Sequence, residues 1–174
     1  MSAMRKLIEF TGLAAVVFAF YLVLTMWTGS FGLWSLEELI IGAVLALIVA
    51  LIARSVFVEA AGLTLFNPLK WLLFLIYLVG PFFYAMAKAN LDVAYRVITG
   101  RINPGIVKLK PNLKSHLGST MLANSITLTP GTLTVDVSED EKDLYVHWIN
   151  VTDTSPSPEQ VCGHFPKWAR RVTE

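Results

Sequence analysis

Two stretches, from Phe10 to Leu36 and from Leu39 to Ile52, contain no charged residue and no histidine. They lie in apolar runs at 7–27 and 36–53, each close to the ~20 residues that carry a helix across a ~30 Å hydrocarbon core. The runs read as two spanning helices, and the short glycine-containing segment "TGSFGLW" would join them as a tight antiparallel hairpin. Composition agrees, since 55% of the 174 residues are hydrophobic and 16% charged, against about 25% charged in an average soluble domain. The first run follows Arg5 and Lys6 as a secretory signal would. It is longer than a signal's apolar core and a second run follows almost at once, so it reads as retained.

Ser35 stands three residues before Glu38 in "SLEE", a capping-box pattern at a helix start, with Glu37 and Glu38 near the positive end of the helix dipole. An ion-capture pair at a pore mouth is the alternative use of these acids. A first turn attracts carboxylates without any such role. Arg5 and Lys6 precede the first run and Arg54 follows the second, while their connection has no cation, so both ends of the hairpin should face the cytoplasm.

A third apolar segment begins at Asn67–Pro68, a helix cap followed by a residue suited to the first helical position. Helical over 68–99, it would be about 48 Å long at ~1.5 Å per residue, with a kink expected at Gly80–Pro81. It is apolar on nearly all sides up to Met86; beyond, Lys88, Asp92 and Arg96 follow one another at four-residue spacing. Hydropathy favours a third span. A full crossing would carry Lys88, Arg96 and Arg101 outside, against the positive-inside rule, so the charges favour a tilted or interfacial helix anchored by residues such as Trp71 and Tyr84. The helix is thus interfacial or spanning.

The expected architecture is a membrane part over 1–101 and a small α+β cytoplasmic domain over 102–174, in the order β-α-β-β-α. In "ANSITLTPGTLTVDV" five hydroxyl residues, Ser125, Thr127, Thr129, Thr132 and Thr134, surround Pro130–Gly131. Alternation places Leu133, Val135 and Val137 on one face of a half-buried strand, with Thr132, Thr134 and Asp136 on the other. The block has one glycine and no following lysine, unlike a phosphate-binding loop. Cys162 and His164 are too few for a metal site, His116 and His147 have no motif around them, and no GxSxG occurs. "NVT" at Asn150–Thr152 matches a glycosylation sequon, which a cytoplasmic domain would leave unused. A net charge of +1 gives no basic footprint for nucleic acid, and nothing calls for a cofactor.

The hairpin, followed by "KANLDVAYRVI", "INPGIVKL", "ANSITLTPGTLTVDV" and "LYVHWINV", resembles the E subunit of the multisubunit Mrp (Mnh, Pha) Na+/H+ antiporters of bacteria. The resemblance implies an accessory subunit of a cytoplasmic-membrane complex, multi-pass and with a cytoplasmic C-terminal domain, needed for assembly and transport but not itself the ion path. Its partners would be the lipid bilayer and other membrane subunits, approached closely at Gly12, Ala14, Ala15, Gly42, Ala43 and Ala46. Residues for interfaces or structure are Lys88, Asn90, Asp92, Arg96, Asn124, Ser125, Thr127, Thr129, Pro130, Gly131 and Thr132. Alternatives are a membrane-anchored binding module or enzyme using the threonine-rich loop 125–134, and a free-standing lipid-binding or adaptor protein.

Overall fold

A computed structural model describes residues 3–26, 34–61, 67–138, 140 and 142–174. The chain forms two compact units, Met1–Phe66 and Asn67–Glu174.

The first unit packs α1 (Ala3–Leu24) against α2 (Leu36–Ala61). Tyr21 donates its hydroxyl to the Glu38 carbonyl at 3.2 Å, and Trp34 Nε1 donates to Thr25 Oγ1 at 3.1 Å. The end of α1 therefore lies beside the start of α2, and the pair is antiparallel. The capping box is formed: Ser35 N donates to Glu38 Oε2 at 2.7 Å and Glu38 N to Ser35 Oγ at 3.2 Å. Gly42, Ala46 and Ala50 make one buried stripe along α2 at four-residue spacing, and a Cβ on Gly42 would run into the Tyr21 ring. Gly42 and Ala46, expected to admit neighbouring subunits, are thus spent inside this unit. Ala15 and Ala43 remain exposed. The hairpin connection falls on 27–33, which lies outside the described residues, as do the side chains of Arg5, Lys6 and Arg54.

The second unit starts with a single long helix in three parts: α3 (Pro68–Tyr77), a π-helical turn (Leu78–Phe82) and α4 (Phe83–Thr99). Asn67 caps it, its side chain accepting from Leu69 N at 3.0 Å. The feature at Gly80–Pro81 is this wide turn, which removes the clash of the proline ring with an α-helical carbonyl. It also lets Tyr77 and Phe82, five residues apart, point to the same side. Both are buried in the core of the unit. Gly100, in the left-handed region at φ 67°, ends α4.

β1 (Gly105–Leu109), β3 (Leu144–Trp148) and β2 (Thr132–Val137) then form an antiparallel sheet in that order. α5 (His116–Thr127) connects β1 to β2, and the chain closes with α6 (Pro158–Cys162) and α7 (Phe165–Thr173). One terminal helix was expected in "SPEQVCGHFPKWARRV"; Gly163 at φ 57° and Pro166 divide it into two. Val107, Leu109, Leu144 and Val146 are buried and join Leu122 and Ile126 of α5 with Phe165 and Ala169 of α7 in the core. The first part of β2 reverses the expected facing, whereas beyond the register shift between Thr134 and Asp136 the expectation holds, with Asp136 exposed and Val137 packed against the core. Thr132 and Thr134 are half-buried, whereas Leu133 and Val135 are exposed. The helix over 68–99, assigned from sequence to a membrane part ending at 101, belongs by packing to the same unit as the sheet.

Candidate interaction site

The threonine-rich block closes the C-terminal end of α5. The last carbonyls of a helix have no partner within it, and here side-chain hydroxyls supply one. Thr129 Oγ1 donates to Ser125 O at 2.7 Å and Thr132 Oγ1 to Ile126 O at 2.8 Å; one turn earlier Ser125 Oγ donates to Met121 O, inside the helix, at 2.7 Å. Thr134 Oγ1 donates to Ala123 O at 3.1 Å, and its main-chain N–H donates to Thr127 Oγ1 at 3.2 Å. The expected outward threonines therefore face α5 and fasten β2 to it. Ser125 Oγ also accepts from Tyr77 OH at 2.7 Å, in a buried bond that ties α3 to α5. These hydroxyls are engaged in building the fold, which weighs against a ligand loop.

The turn through Pro130 and Gly131 brings the two candidate groups together. Gly131 has φ 86°, and a Cβ there would stand 3.0 Å from Ile149 Cγ2 and 3.2 Å from Val93 Cγ2, so the turn lies directly under α4. Arg96, half-buried on α4, donates Nε to Asp92 Oδ2 at 2.7 Å and Nη2 to Asp92 Oδ1 at 3.2 Å. Its Nη1 donates to Arg101 O at 3.1 Å, pinning the exit from the helix. Lys88, Asn90, Asn124 and Thr127 are exposed, and Asn90 Nδ2 donates back to Met86 O at 2.8 Å.

Outside this junction the unit exposes apolar side chains. Along α4 they are Leu91, Val97 and Ile98, the last 85% exposed. On the outer face of the sheet Ile106 and Leu133 flank His147, with Val135 beside them. Exposed apolar side chains gathered on an element's face are where another molecule would dock.

Chemistry is sparse by comparison. Among the described residues no three of His, Cys, Asp and Glu group as a metal site. Cys162 is buried, its thiol donating to Pro158 O at 2.8 Å, and burial pushes its pKa up to about 12, which leaves it a thiol rather than a nucleophilic thiolate.

Sequence reasoning missed Tyr77, whose ring lies 6.0 Å from Phe165 and 5.8 Å from Trp168. A tyrosine hydroxyl in the middle of an apolar run was the available signal, because a buried O–H requires an acceptor.

A family model described as "Na+/H+ ion antiporter subunit" matches residues 14–172. The E subunit of the Na(+)/H(+) antiporter of Alkalihalophilus pseudofirmus is 35% identical over 102 residues, covering 58% of this chain and 65% of that one, just under two thirds of its length. The E1 subunit of the Na(+)/H(+) antiporter of Staphylococcus saprophyticus is 30% identical over 151 residues, covering 85% of this chain and 90% of that one. Among solved structures, a chain of the membrane-bound sulfane sulfur reductase, an archaeal respiratory membrane complex, matches with 38% identity and a TM-score of 0.77, over 94% of this chain and 98% of that one.

Proposed function

The chain belongs to the E-subunit family of Na+/H+ antiporters, and from that premise we propose that it is an accessory subunit of a multisubunit cation/proton antiporter in the cytoplasmic membrane. Its work is assembly and stabilisation of the complex, and its function resides in interfaces rather than in a catalytic centre. The observation that carries this is the contrast between bare spans and exposed apolar faces. A translocated cation needs intramembrane carboxylates, lysines or histidines in place of water. From Phe10 to Leu36 and from Leu39 to Ile52 the sequence offers none. At the same time α4 and the outer sheet face present apolar surface that a solitary protein would be expected to cover.

The test is genetic and biochemical together. Deleting the gene should abolish Na+ resistance and lower recovery of the other membrane subunits, and a tagged chain purified from native membranes should bring those subunits with it. A chain that purifies alone, with the remaining antiporter intact in its absence, would contradict the assignment.

The likeness to a chain of an archaeal respiratory membrane complex supports a second reading of the host. The same subunit would then serve a redox-linked respiratory membrane complex. Identification of redox subunits among the co-purifying proteins separates the two readings.

A further inference from the structure

We propose that the long helix 68–99 does not cross the bilayer and lies along its surface, with the stripe Leu72, Ile76, Val79 and Phe83 set into the lipid interface. Length and composition alone would let this helix span. Its side-chain packing argues otherwise. The charge-free part runs from Trp71 to Ala87, about 25 Å at ~1.5 Å per residue, and Tyr77 and Phe82 stand near its middle. Both belong to the core of the α/β layer. Tyr77 donates its hydroxyl to Ser125, Phe82 lies 5.9 Å from Phe165, and Lys70 Nζ donates to the Arg171 carbonyl at 2.9 Å. α7 therefore lies alongside this segment, carrying Lys167, Arg170 and Arg171. Placing Tyr77 and Phe82 at mid-bilayer would draw α7 and its three cations into hydrocarbon. Each basic residue at that depth is costly to insert, and the rest of the layer would follow.

The opposite side of the helix has the chemistry of an in-plane segment. Leu72, Ile76, Val79 and Phe83 are 53%, 48%, 73% and 49% exposed. Exposed Trp71 and Tyr84 flank the stripe and Lys88 follows, a sequence of apolar row, aromatic anchors and cation that suits an interface containing anionic lipids. Only the segment 62–67 separates this helix from α2, so the chain that leaves the bilayer at α2 has little length in which to move away. The occupant of the stripe is the lipid boundary of that leaflet.

Two measurements on the full-length chain with Cys162→Ala test this. In the first, Leu69→Cys and Ile98→Cys are labelled with a membrane-impermeant maleimide in vesicles of each orientation. Both should label in the same vesicle type; labelling from opposite sides would show a crossing and overturn the proposal. In the second, nitroxides at positions 72, 76, 79 and 83 are read in phosphatidylethanolamine–phosphatidylglycerol vesicles. All four should be accessible to oxygen at one shallow depth, about 5–10 Å into the headgroup and acyl boundary. A depth that passes through a maximum near position 79 overturns the proposal. So does exclusion of both oxygen and a water-soluble nickel chelate, which would mean that protein covers the stripe.

Discussion

Gly131 has one conformation and two close neighbours to satisfy, at φ 86° with Ile149 and Val93 against it. Gly131→Ala should destabilise the second unit by about 1–3 kcal/mol through left-handed strain and crowding, read as a lowered melting temperature of the purified chain. Replacing Pro130 and Gly131 together should lower the yield of the complex more than it changes the apparent Na+ affinity of the complex that survives. Normal yield with altered affinity would point to a direct role in transport. Ser125→Ala leaves the buried Tyr77 hydroxyl without its acceptor, a loss of about 1–3 kcal/mol, and Tyr77→Phe in the same chain should recover part of it. Cys162 carries a pH prediction. Its pKa is raised to about 12 in the folded chain, so the stability it adds is complete below the unfolded thiol's pKa of ~8.5 and is lost as pH rises toward 12. At pH 8 it should resist a thiol reagent until the chain is unfolded. The turn at Pro130–Gly131 was legible in the sequence because those residue types admit few backbone alternatives. The inward facing of Thr132 and Thr134 was not, since alternation shows that two faces differ and leaves open which one meets the helix.

At the scale of elements, the hairpin depends on the smallness of α2 where Tyr21 crosses it. Gly42→Leu should separate α1 from α2 and sharply reduce membrane-inserted protein, measured by the yield of protease-protected hairpin; Ala43→Leu, on an exposed position, should not. The helices and their caps at Ser35 and Asn67 could be read from local sequence, because capping is chemistry between residues three or fewer positions apart. The π turn could not. Pro81 announces a disturbance, but a wide turn rather than a kink is selected by the need to bury Tyr77 and Phe82 together against Phe165. The break between α6 and α7 has a similar origin: Gly163 and Pro166 were visible, and the turn they make places Phe165 and Ala169 in the core. Deleting Val79 should remove the wide turn while leaving Tyr77 and Phe82 on one face, now four residues apart. The second unit should still fold, destabilised by about 3 kcal/mol by Pro81 in an α-helical turn and read as a lowered melting temperature.

For the whole molecule, the apolar runs and the family resemblance foretold a membrane hairpin joined to a small α+β layer. The affiliation of helix 68–99 with that layer depended on contacts far apart in sequence, Lys70 with Arg171 and Tyr77 with Ser125, which no local pattern displays. On the proposed reading the chain offers surfaces and anchors to a larger complex, and the charge-free stretches 10–36 and 39–52 supply no titratable path of their own. The most direct test of that claim is Na+-driven proton movement in liposomes containing the purified chain alone. The account predicts no movement above protein-free liposomes, with exchange appearing only for the complete complex. Robust exchange by the lone chain would contradict it.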